Sequence, residues 1–476
     1  MKRRSLVICL ILFALSSHAQ QYGLFNTRTL FDGFENPAQK TFVLDSSRKY
    51  ASNFFLPYFG LRGGSKGNDQ TVRRLINEGV YSASDITIGN NEVNSFFGSS
   101  NVYLFNFKIF KSYKFQKEIG FAWQLRADGY LDYTNETFAL LDNYRRFDSF
   151  KGRDFVDVFN NNGYGQSYHQ FSVSYRENYN KQLAFGVKAS LLSGITYNQL
   201  RVTESFFNPG SETQPLRATL TGTYRANFLE TEELSKKNAV PNFKNPGLAL
   251  SFGTSYTAKS GVFLMANIKD LGFIHWAKSS YYNQFDGEVI IDDPNANSST
   301  IDKRITEIVT EGETRKGFYS LTNAKADIMV SKTFGISGPW FTYTPSFIVS
   351  KNLFYKGGDA AFVNKLKYDQ FSLTAIPAYN LYQQFYFGMQ GMYQTPNFEV
   401  FLGSDNMFKT ISQANGAIQQ DINIGSGYSG ASFYMGLGIK FGNTVEHPQN
   451  SSYMPGINDQ ETSFFKRLFG VFSGNR

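Results

Sequence analysis

Alternation of large apolar side chains with small or polar ones is the feature that most constrains this chain, and it is clearest within residues 248–276. The alternation runs over 248–256, and after a polar turn at 258–261 it resumes over 262–269. Because successive side chains of a strand point to opposite faces of a sheet, this stretch predicts a hairpin with two unlike faces. Beyond residue 269 the alternation stops and aromatic side chains gather.

The same pattern recurs along the chain, in runs such as 119–127, 169–176, 183–191 and 433–441. After the first twenty residues, no apolar run approaches the ~20 residues that a membrane-spanning helix needs, and the mean hydropathy is −0.33. A barrel strand needs only ~9–11 alternating residues. The sequence therefore predicts an all-β fold, a transmembrane antiparallel β-barrel in an outer membrane.

The first nineteen residues have the three parts of a secretion signal. Lys2-Arg3-Arg4 is a basic start, Leu6–Leu15 is an apolar core, and Ser17-His18-Ala19 is a small-residue cleavage site. We expect residues 1–19 to be removed by cleavage near Ala19 and the mature chain to reside in a Gram-negative outer membrane. Cys9 is the chain's one cysteine, so the mature protein is expected to lack disulfides.

The remaining chain divides into three predicted parts. Residues 20–48 are not strand-like and include the turn sequence Asn36-Pro37-Ala38, which indicates a plug or hatch that folds back into the barrel; a periplasmic arm is the alternative. Residues 49–441 are predicted to form the barrel. Residues 442–476 are predicted to form a periplasmic tail with a short amphipathic segment, because aromatic and leucine residues recur there at helical spacing: Phe464, Phe465, Leu468, Phe469 and Phe472.

Short turns predict the number of strands, because both ends of a bacterial barrel normally lie on the side where turns are short. Six stretches fit such turns, near residues 111–117, 178–181, 258–261, 292–298, 336–338 and 394–397. Six inner turns imply about fourteen strands, provided that 217–228 and 371–378 belong to outer excursions. Sixteen strands is the alternative. A weaker strand is also expected over 301–309.

One face of the predicted strands is polar, and a charge facing lipid at mid-membrane would cost about 2–4 kcal/mol. We therefore expect these side chains to face the lumen: Gln124, Arg126, Arg176, Lys188, Arg225 and Lys269. Cations predominate among them, which fits either a lumen that favours anionic solutes or ion pairs with acidic plug residues such as Asp32 and Glu35. Ion pairing is favoured, because an unpaired buried charge is costly.

The sequence contains no recognised catalytic motif. The mature chain has three histidines, His169, His275 and His447, whose spacing matches no zinc site, and it has no nucleophile elbow, phosphate-binding glycine loop or EF-hand. The net charge is +8, of which the signal contributes three, and no Lys/Arg-rich run points to nucleic acid. We therefore predict that the protein is not an enzyme and has no catalytic residue, cofactor or metal. We expect outer-membrane lipid to surround the protein.

Three strings of residues carry a family resemblance: Asn36-Pro37-Ala38, Asp270-Leu271-Gly272-Phe273-Ile274-His275-Trp276 and Gly403-Ser404-Asp405-Asn406. Together they resemble a Bacteroidota family of outer-membrane barrels of unknown function, with Asp270, Leu271, Gly272, Phe273 and Trp276 as the family-like residues of the second string. That family is similar to the FadL-like long-chain fatty acid transporters and their secretion-accessory relatives. The resemblance implies fourteen strands and an N-terminal hatch with an Asn-Pro-Ala turn.

Two functions follow as hypotheses. In the first, the barrel passes a small hydrophobic or amphipathic solute, and movement of residues 22–38 opens a path inward or sideways. In the second, a plugged barrel acts as a scaffold or accessory for surface-protein secretion or assembly, through its long loops near 62–100, 134–165 and 205–245 and its tail. The resemblance includes relatives of both kinds, and transport is the function that we favour.

Overall fold

The computed structural model describes most of the chain, namely residues 22–41, 48–67, 73–74, 76–79, 86–112, 117–142, 144–211, 214–229, 240–293, 298–312, 314–338, 340–424, 429–444 and 464–465. The predicted signal at 1–19 lies outside these residues, as does nearly all of the predicted tail. Among the described residues, no helix is both long enough and apolar enough to cross a membrane.

Fourteen antiparallel strands form one continuous sheet. Ten are single segments: β2 (Val93–Ser112), β3 (Lys117–Thr134), β4 (Asn162–Asn178), β5 (Leu183–Asn208), β9 (Phe341–Asn352), β10 (Gly358–Tyr368), β11 (Phe371–Asn380), β12 (Phe385–Gln394), β13 (Phe398–Ser404) and β14 (Gly430–Thr444). Four are interrupted: β1 (Arg48–Ser52 and Tyr58–Lys66), β6 (Leu216–Ala226 and Pro246–Thr257), β7 (Val262–Trp276 and Tyr281–Ile291) and β8 (Thr314–Arg315, Phe318–Leu321, Lys325–Lys332 and Phe334–Gly335).

The first and last strands pair with each other and close the sheet into a barrel. Tyr50 on β1 pairs with Phe441 on β14, and Phe59 pairs with Met435. This closure confirms the predicted all-β, fourteen-stranded barrel. The wall begins at Arg48 and ends at Thr444, close to the predicted limits of 49 and 441.

Where the structure gives complete bounds, the α-helices beside the wall are α1 (Asp32–Glu35), α2 (Asn135–Leu141), α3 (Ser298–Thr310) and α4 (Met407–Gln419). Six short connections lie at one end of the barrel, which we call the short-turn end. The opposite end, the long-loop end, carries α2, α3, α4 and the longest connections. Much of it packs around a buried aromatic and aliphatic cluster: Ala139, Tyr144, Phe150, Phe155, Val158, Phe159, Phe207, Leu216, Ala218 and Ile301.

Three details of the predicted strand map are wrong. The predicted strand at 301–309 is helix α3, because Ile301, Ile305 and Ile308 recur at helical spacing and pack on the sheet. The run at 371–378 is not an outer excursion, since it forms strand β11, whereas the run at 217–226 does lie at the long-loop end, as the first segment of β6. The turn expected at 292–298 leads instead into α3, and the sixth short turn is at 369–370. The strand lost at 301–309 and the strand gained at 371–378 offset each other, so the number of strands remains fourteen.

Side-chain burial follows the predicted alternation. On β6, Leu248, Leu250 and Phe252 are 52%, 48% and 50% exposed, whereas Ala249 and Ser251 between them are 2% and 1% exposed. The outward face is therefore apolar and the inward face is small or polar. A closed sheet satisfies its backbone hydrogen bonds internally, which is the condition for crossing the hydrocarbon core of a bilayer.

Strand β1 is interrupted between Ser52 and Tyr58, where five residues leave the ladder. The buried side chain of Asn53 bridges this break: its amide nitrogen donates to the carbonyl of Leu56 at 3.0 Å, and its amide oxygen accepts from the backbone N–H of Asn106 at 2.8 Å. The turn projects Phe55 outward. Asn53 therefore supplies hydrogen bonds that the missing part of the ladder would otherwise provide.

We expect Asn53→Ala to lower the free energy of unfolding by about 1–3 kcal/mol, because buried backbone groups on both sides of the break lose a partner. Urea titration of the refolded barrel, followed by the electrophoretic shift between folded and unfolded forms, measures this change. Leu56→Ala is the matched control, since its side chain is 55% exposed and its loss should cost about 0.5 kcal/mol or less. Equal effects of the two substitutions would contradict the role assigned to Asn53.

Candidate functional site

Residues 22–41, called here the N-terminal segment, lie inside the ring of strands. The tyrosine hydroxyl at its start, on Tyr22, donates to Asp359 of β10 at 2.6 Å. In its middle, the backbone N–H of Leu30 donates to Glu399 of β13 at 2.7 Å. At its end, the backbone N–H of Thr41 donates to Glu118 of β3 at 3.1 Å. Contacts with strands on opposite sides of the barrel place the segment across the lumen.

Glu35, the last residue of α1, is the segment's main charged contact with the wall. Its carboxylate lies 2.7 Å from the Lys269 ammonium and 2.9 Å from the Arg126 guanidinium. It also accepts hydrogen bonds from Asn101 at 2.8 Å and from the Tyr103 hydroxyl at 2.6 Å. Burial alone would raise the pKa of Glu35, but Lys269 and Arg126 outweigh burial and hold that pKa well below its usual value. Glu35 is therefore ionised.

A β-bulge on β7 brings a second carboxylate into the same network. The register of β6 against β7 shifts between Ile268 and Leu271, so Lys269 and Asp270 both point inward. Asp270 adopts a left-handed backbone conformation (φ 54°), and its backbone N–H donates to the Ser251 hydroxyl at 2.8 Å. Strict alternation would have turned one of these two charges to the apolar outward face.

Asp270 contacts polar side chains of three other strands, two of them cations. Its carboxylate lies 3.0 Å from the Lys188 ammonium, accepts from the Gln170 amide at 2.8 Å and forms an ion pair with Arg126. Arg126 therefore bridges Glu35 of the N-terminal segment and Asp270 of the wall. The cluster contains two carboxylates and three cations, all within the barrel.

Wall cations also bind backbone carbonyl groups of the segment. Lys188 donates to the carbonyl of Phe34 at 3.1 Å, and Lys108 donates to that of Gly33 at 3.3 Å. Arg176 donates through Nε to the carbonyl of Ala38 at 2.9 Å. Gly33 and Phe34 lie in the single turn of α1, where no further helical turn follows to pair with their carbonyl groups, and the wall cations satisfy them.

Two glycines form the wall where the Asn36-Pro37-Ala38 turn rests. Gly186 of β5 pairs directly with Gly253 of β6. A Cβ atom at Gly186 would lie 2.0 Å from the carbonyl oxygen of Pro37, and one at Gly253 would lie 2.3 Å from Oδ1 of Asn36. The turn therefore approaches the sheet more closely than any residue with a side chain would permit.

An apolar cluster fills the space between the segment and the wall near β1. The Phe31 ring stacks on Tyr58 at 4.7 Å and meets Tyr103 and Phe401 at 5.8 and 5.6 Å. Further buried members are Leu24, Leu30, Phe34, Ala51, Ala122, Met392 and Tyr434. The enclosed space that remains beside the segment is a cavity of about 20 Å³, which has room for little more than one water molecule. The segment is closely packed here, since Leu30, Phe31 and Phe34 are at most 1% exposed.

The remaining predicted residues divide between the two faces of the wall. Gln124 donates to Gln170 inside the barrel, and Arg225 lies toward the long-loop end with its guanidinium 5.7 Å from the ring centre of Tyr282. In the Asp270–Trp276 string, Leu271 and Phe273 are 40% and 41% exposed on the outward face.

The other members of the string serve the wall from inside. Trp276 is fully buried and donates from its indole nitrogen to Ser320 at 2.8 Å. A Cβ atom at Gly272 would lie 2.1 Å from the carbonyl oxygen of Leu248. Trp276 and Gly272 are therefore structural, while Asp270 contributes to the lumenal charge network.

Sequence reasoning missed Gly186, Gly253, Lys108 and Glu118 as residues that hold the segment. For the two glycines a signal was available, because glycine at an inward position of a regular strand weakens the strand and marks a close approach of another part of the backbone. Groups of three or more histidine, cysteine or acidic residues placed to bind a metal are absent from the described residues.

Comparisons with solved structures found barrels with very low sequence identity. A Pseudomonas aeruginosa FadL homologue aligns with 11% identity over 90% of this chain and 98% of that chain, at a TM-score of 0.44. The toluene transporter TodX of P. putida aligns with 7% identity over 83% and 90%, at 0.34. The monoaromatic hydrocarbon channel CymD aligns with 7% identity over 90% and 99%, also at 0.34. All these scores lie below 0.5, so the likeness carries no conclusion about this chain.

A search of curated proteins found no match. A family model does match: the model of a family of unknown function, DUF5723, covers residues 52–405, which span the wall from the first strand to the end of β13. This chain therefore belongs to the DUF5723 family of unknown function.

Proposed function

We propose that this protein is an outer-membrane barrel that passes a small hydrophobic or amphipathic solute, with the N-terminal segment as its hatch. The observation that carries the proposal is that the segment crosses the lumen, from Asp359 to Glu118, and that the cavity of about 20 Å³ beside it cannot hold such a solute. Passage therefore requires the segment to move. The apolar outward face and the closed hydrogen-bond network support placement in a membrane.

The chemistry of the segment's contacts supports its release as a unit. Its strongest contacts are ion pairs and hydrogen bonds to carbonyl groups, which water replaces when the segment leaves. Its departure would uncover the apolar side chains of Tyr58, Tyr103 and Phe401. Its departure would also uncover the wall cations that bind the segment, such as Lys188 and Arg176. A lumen lined by both kinds of side chain fits an amphipathic solute, which has apolar surface and a polar group.

Two routes lead away from this apolar cluster. One runs toward the short-turn end, near which Thr41 contacts Glu118. The other runs sideways through the interrupted part of β1, since Tyr58 belongs to the cluster and directly follows the break. Both routes require the same displacement of Phe31, so the experiments below test the hatch under either route.

A scaffold for surface-protein secretion or assembly is the second candidate. The observation that favours it is the separate buried cluster at the long-loop end, which gives this end a folded surface of its own. Cross-linking in intact membranes, followed by gentle solubilisation, tests this alternative. Recovery of the barrel without any stoichiometric partner would contradict it.

We expect Glu35→Gln to loosen the hatch, because it leaves Lys269 and Arg126 without the charge that they share. Breaking a buried ion pair costs about 3–5 kcal/mol. A thiol introduced by Gln39→Cys should therefore react with a maleimide about tenfold faster or more when Glu35→Gln is also present than when Glu35 is retained. Gln39 is a suitable position because it is 2% exposed, and residues 20–476 contain no other cysteine.

The matched control is Glu307→Gln on α3. It also removes one negative charge, but from an ion pair with Arg304, whose side chain is 51% exposed. Surface pairs contribute about 0–1 kcal/mol, so labelling should be unchanged in this background. The same labelling rate in the parent and in Glu35→Gln would contradict the role of Glu35.

We expect Gly186→Ala to displace the Asn36-Pro37-Ala38 turn and increase permeability several-fold, because the new methyl group overlaps the Pro37 carbonyl. Entry of N-phenyl-1-naphthylamine into Gram-negative cells that display the protein, followed by fluorescence, measures this effect. Gly391→Ala is the matched control, since a Cβ atom there has no neighbour within 4 Å.

Electrophoretic mobility of unheated samples confirms that both glycine variants are folded. A version without residues 22–41 gives the upper limit of the entry rate. If Gly186→Ala, Gly391→Ala and this shortened version all admit the dye at the parent's rate, the segment is not a hatch.

A further inference from the structure

Basic residues at the short-turn end lie along eight consecutive strands. Arg48 begins β1, Lys111 and Lys117 flank the β2–β3 turn, Lys181 and Lys259 lie in the β4–β5 and β6–β7 turns, and Lys332 ends the third segment of β8. We call these six residues the basic rim. Each is exposed or half-buried.

The basic rim has little acidic counterpart. Among the described residues of the short-turn end, Glu118, Glu177 and Glu399 are at most 4% exposed, and only Asp369 is an exposed carboxylate. The cations of the long-loop end differ, since many pair with a neighbouring acid, as Arg217 does with Glu288 at 2.9 Å. Within the described chain, Lys111, Lys181, Lys259 and Lys332 form no ion pair. These four lysines of the rim therefore retain their positive charge.

Two members of the basic rim share the lipid-facing side of the wall. Lys332 follows Ile328 and Val330, which are 61% and 43% exposed, at the same period-two spacing. Lys117 has the same relation to Phe121, which is 42% exposed. These cations therefore point sideways from the barrel and not into the aqueous space beyond its turns.

Aromatic side chains mark the depth of the rim. Tyr256 is 39% exposed and precedes Lys259 by three residues, and the Lys332 ammonium lies 5.4 Å from the ring centre of Phe334. Exposed aromatic residues in barrels concentrate where hydrocarbon meets headgroups. The basic rim is therefore at the height of the lipid headgroups.

We propose that the basic rim is a binding surface for anionic phospholipids, whose headgroup phosphates pair with its cations. The proposal rests on the membrane placement given under the proposed function, and it concerns the outer surface and not the hatch. A soluble acidic protein would approach from beyond the turns. The rim extends from β1 to β8, which is more than half of the circumference, and two of its cations point sideways. This arrangement fits a leaflet that surrounds the barrel.

The test uses the full mature chain in nanodiscs of equal phosphatidylglycerol and phosphatidylcholine, with one of the two lipids brominated. All variants carry Trp123→Phe, because Trp123 is half-buried on the outward face, and Trp276 is fully buried. Trp340 is 51% exposed and lies between β8 and β9 at the short-turn end, so quenching by nearby bromine is then assigned to Trp340. We expect brominated phosphatidylglycerol to quench about twofold more than brominated phosphatidylcholine at low salt. At 0.5 M NaCl the difference should disappear, because salt screens exposed charges.

A variant in which four rim lysines are changed to Gln should lose the preference for phosphatidylglycerol. The four are Lys111, Lys181, Lys259 and Lys332. The matched control changes Lys151, Arg217, Lys303 and Arg304 to Gln, which removes the same charge from the long-loop end and should leave the preference intact. Both sets are on the surface, and the mobility of unheated samples shows that each barrel is folded.

Equal quenching by the two lipids in the parent, or a preference that survives in the rim variant, would overturn the proposal. A parent preference that 20 mM inorganic phosphate abolishes at constant ionic strength would show a site for free phosphate, and would also overturn it. If neither lipid quenches at all, the membrane placement fails, and this proposal fails with it. Failure of the hatch experiments alone would leave the lipid preference unchanged.

Discussion

Closure of the backbone hydrogen-bond network is the constraint on which the rest of this structure depends. Because β14 pairs with β1, every wall strand has a neighbour on each side, which is what a sheet needs in hydrocarbon. Closure also divides the side chains of each strand between lipid and lumen. The apolar outward face and the polar inward face are therefore two results of one requirement.

A polar lumen brings a second requirement, since buried charges are costly unless they are paired. The wall supplies Arg126, Arg176, Lys188 and Lys269, whereas Asp270 is the wall carboxylate that joins this group. The N-terminal segment supplies Glu35 and the carbonyl groups of its single helical turn. Wall and segment therefore satisfy each other's charges and hydrogen-bonding groups. Because specific contacts hold the segment in place, the segment is a candidate hatch.

The two ends of the barrel use charge differently. At the long-loop end, acids and bases pair around a buried cluster, which stabilises a folded cap. At the short-turn end, exposed cations have few acidic neighbours and lie beside exposed aromatic side chains. The same wall therefore presents a balanced surface on one side and a basic surface on the other, each suited to a different environment.

Period-two alternation is local, so the sequence by itself determined the strands, their faces and the inward position of residues such as Arg126 and Lys188. It also indicated that Asn36-Pro37-Ala38 lies in a segment distinct from the wall. Alternation could not separate helix from strand at 301–309, because short apolar runs fit both periods. Only the tertiary structure decided contacts between distant parts of the chain: Gly186 opposite Gly253, Asn53 across the break in β1, and the register shift that turns Asp270 inward beside Lys269. The physical reason is that register and approach distance arise from pairing between strands, whereas alternation is a property of one strand alone.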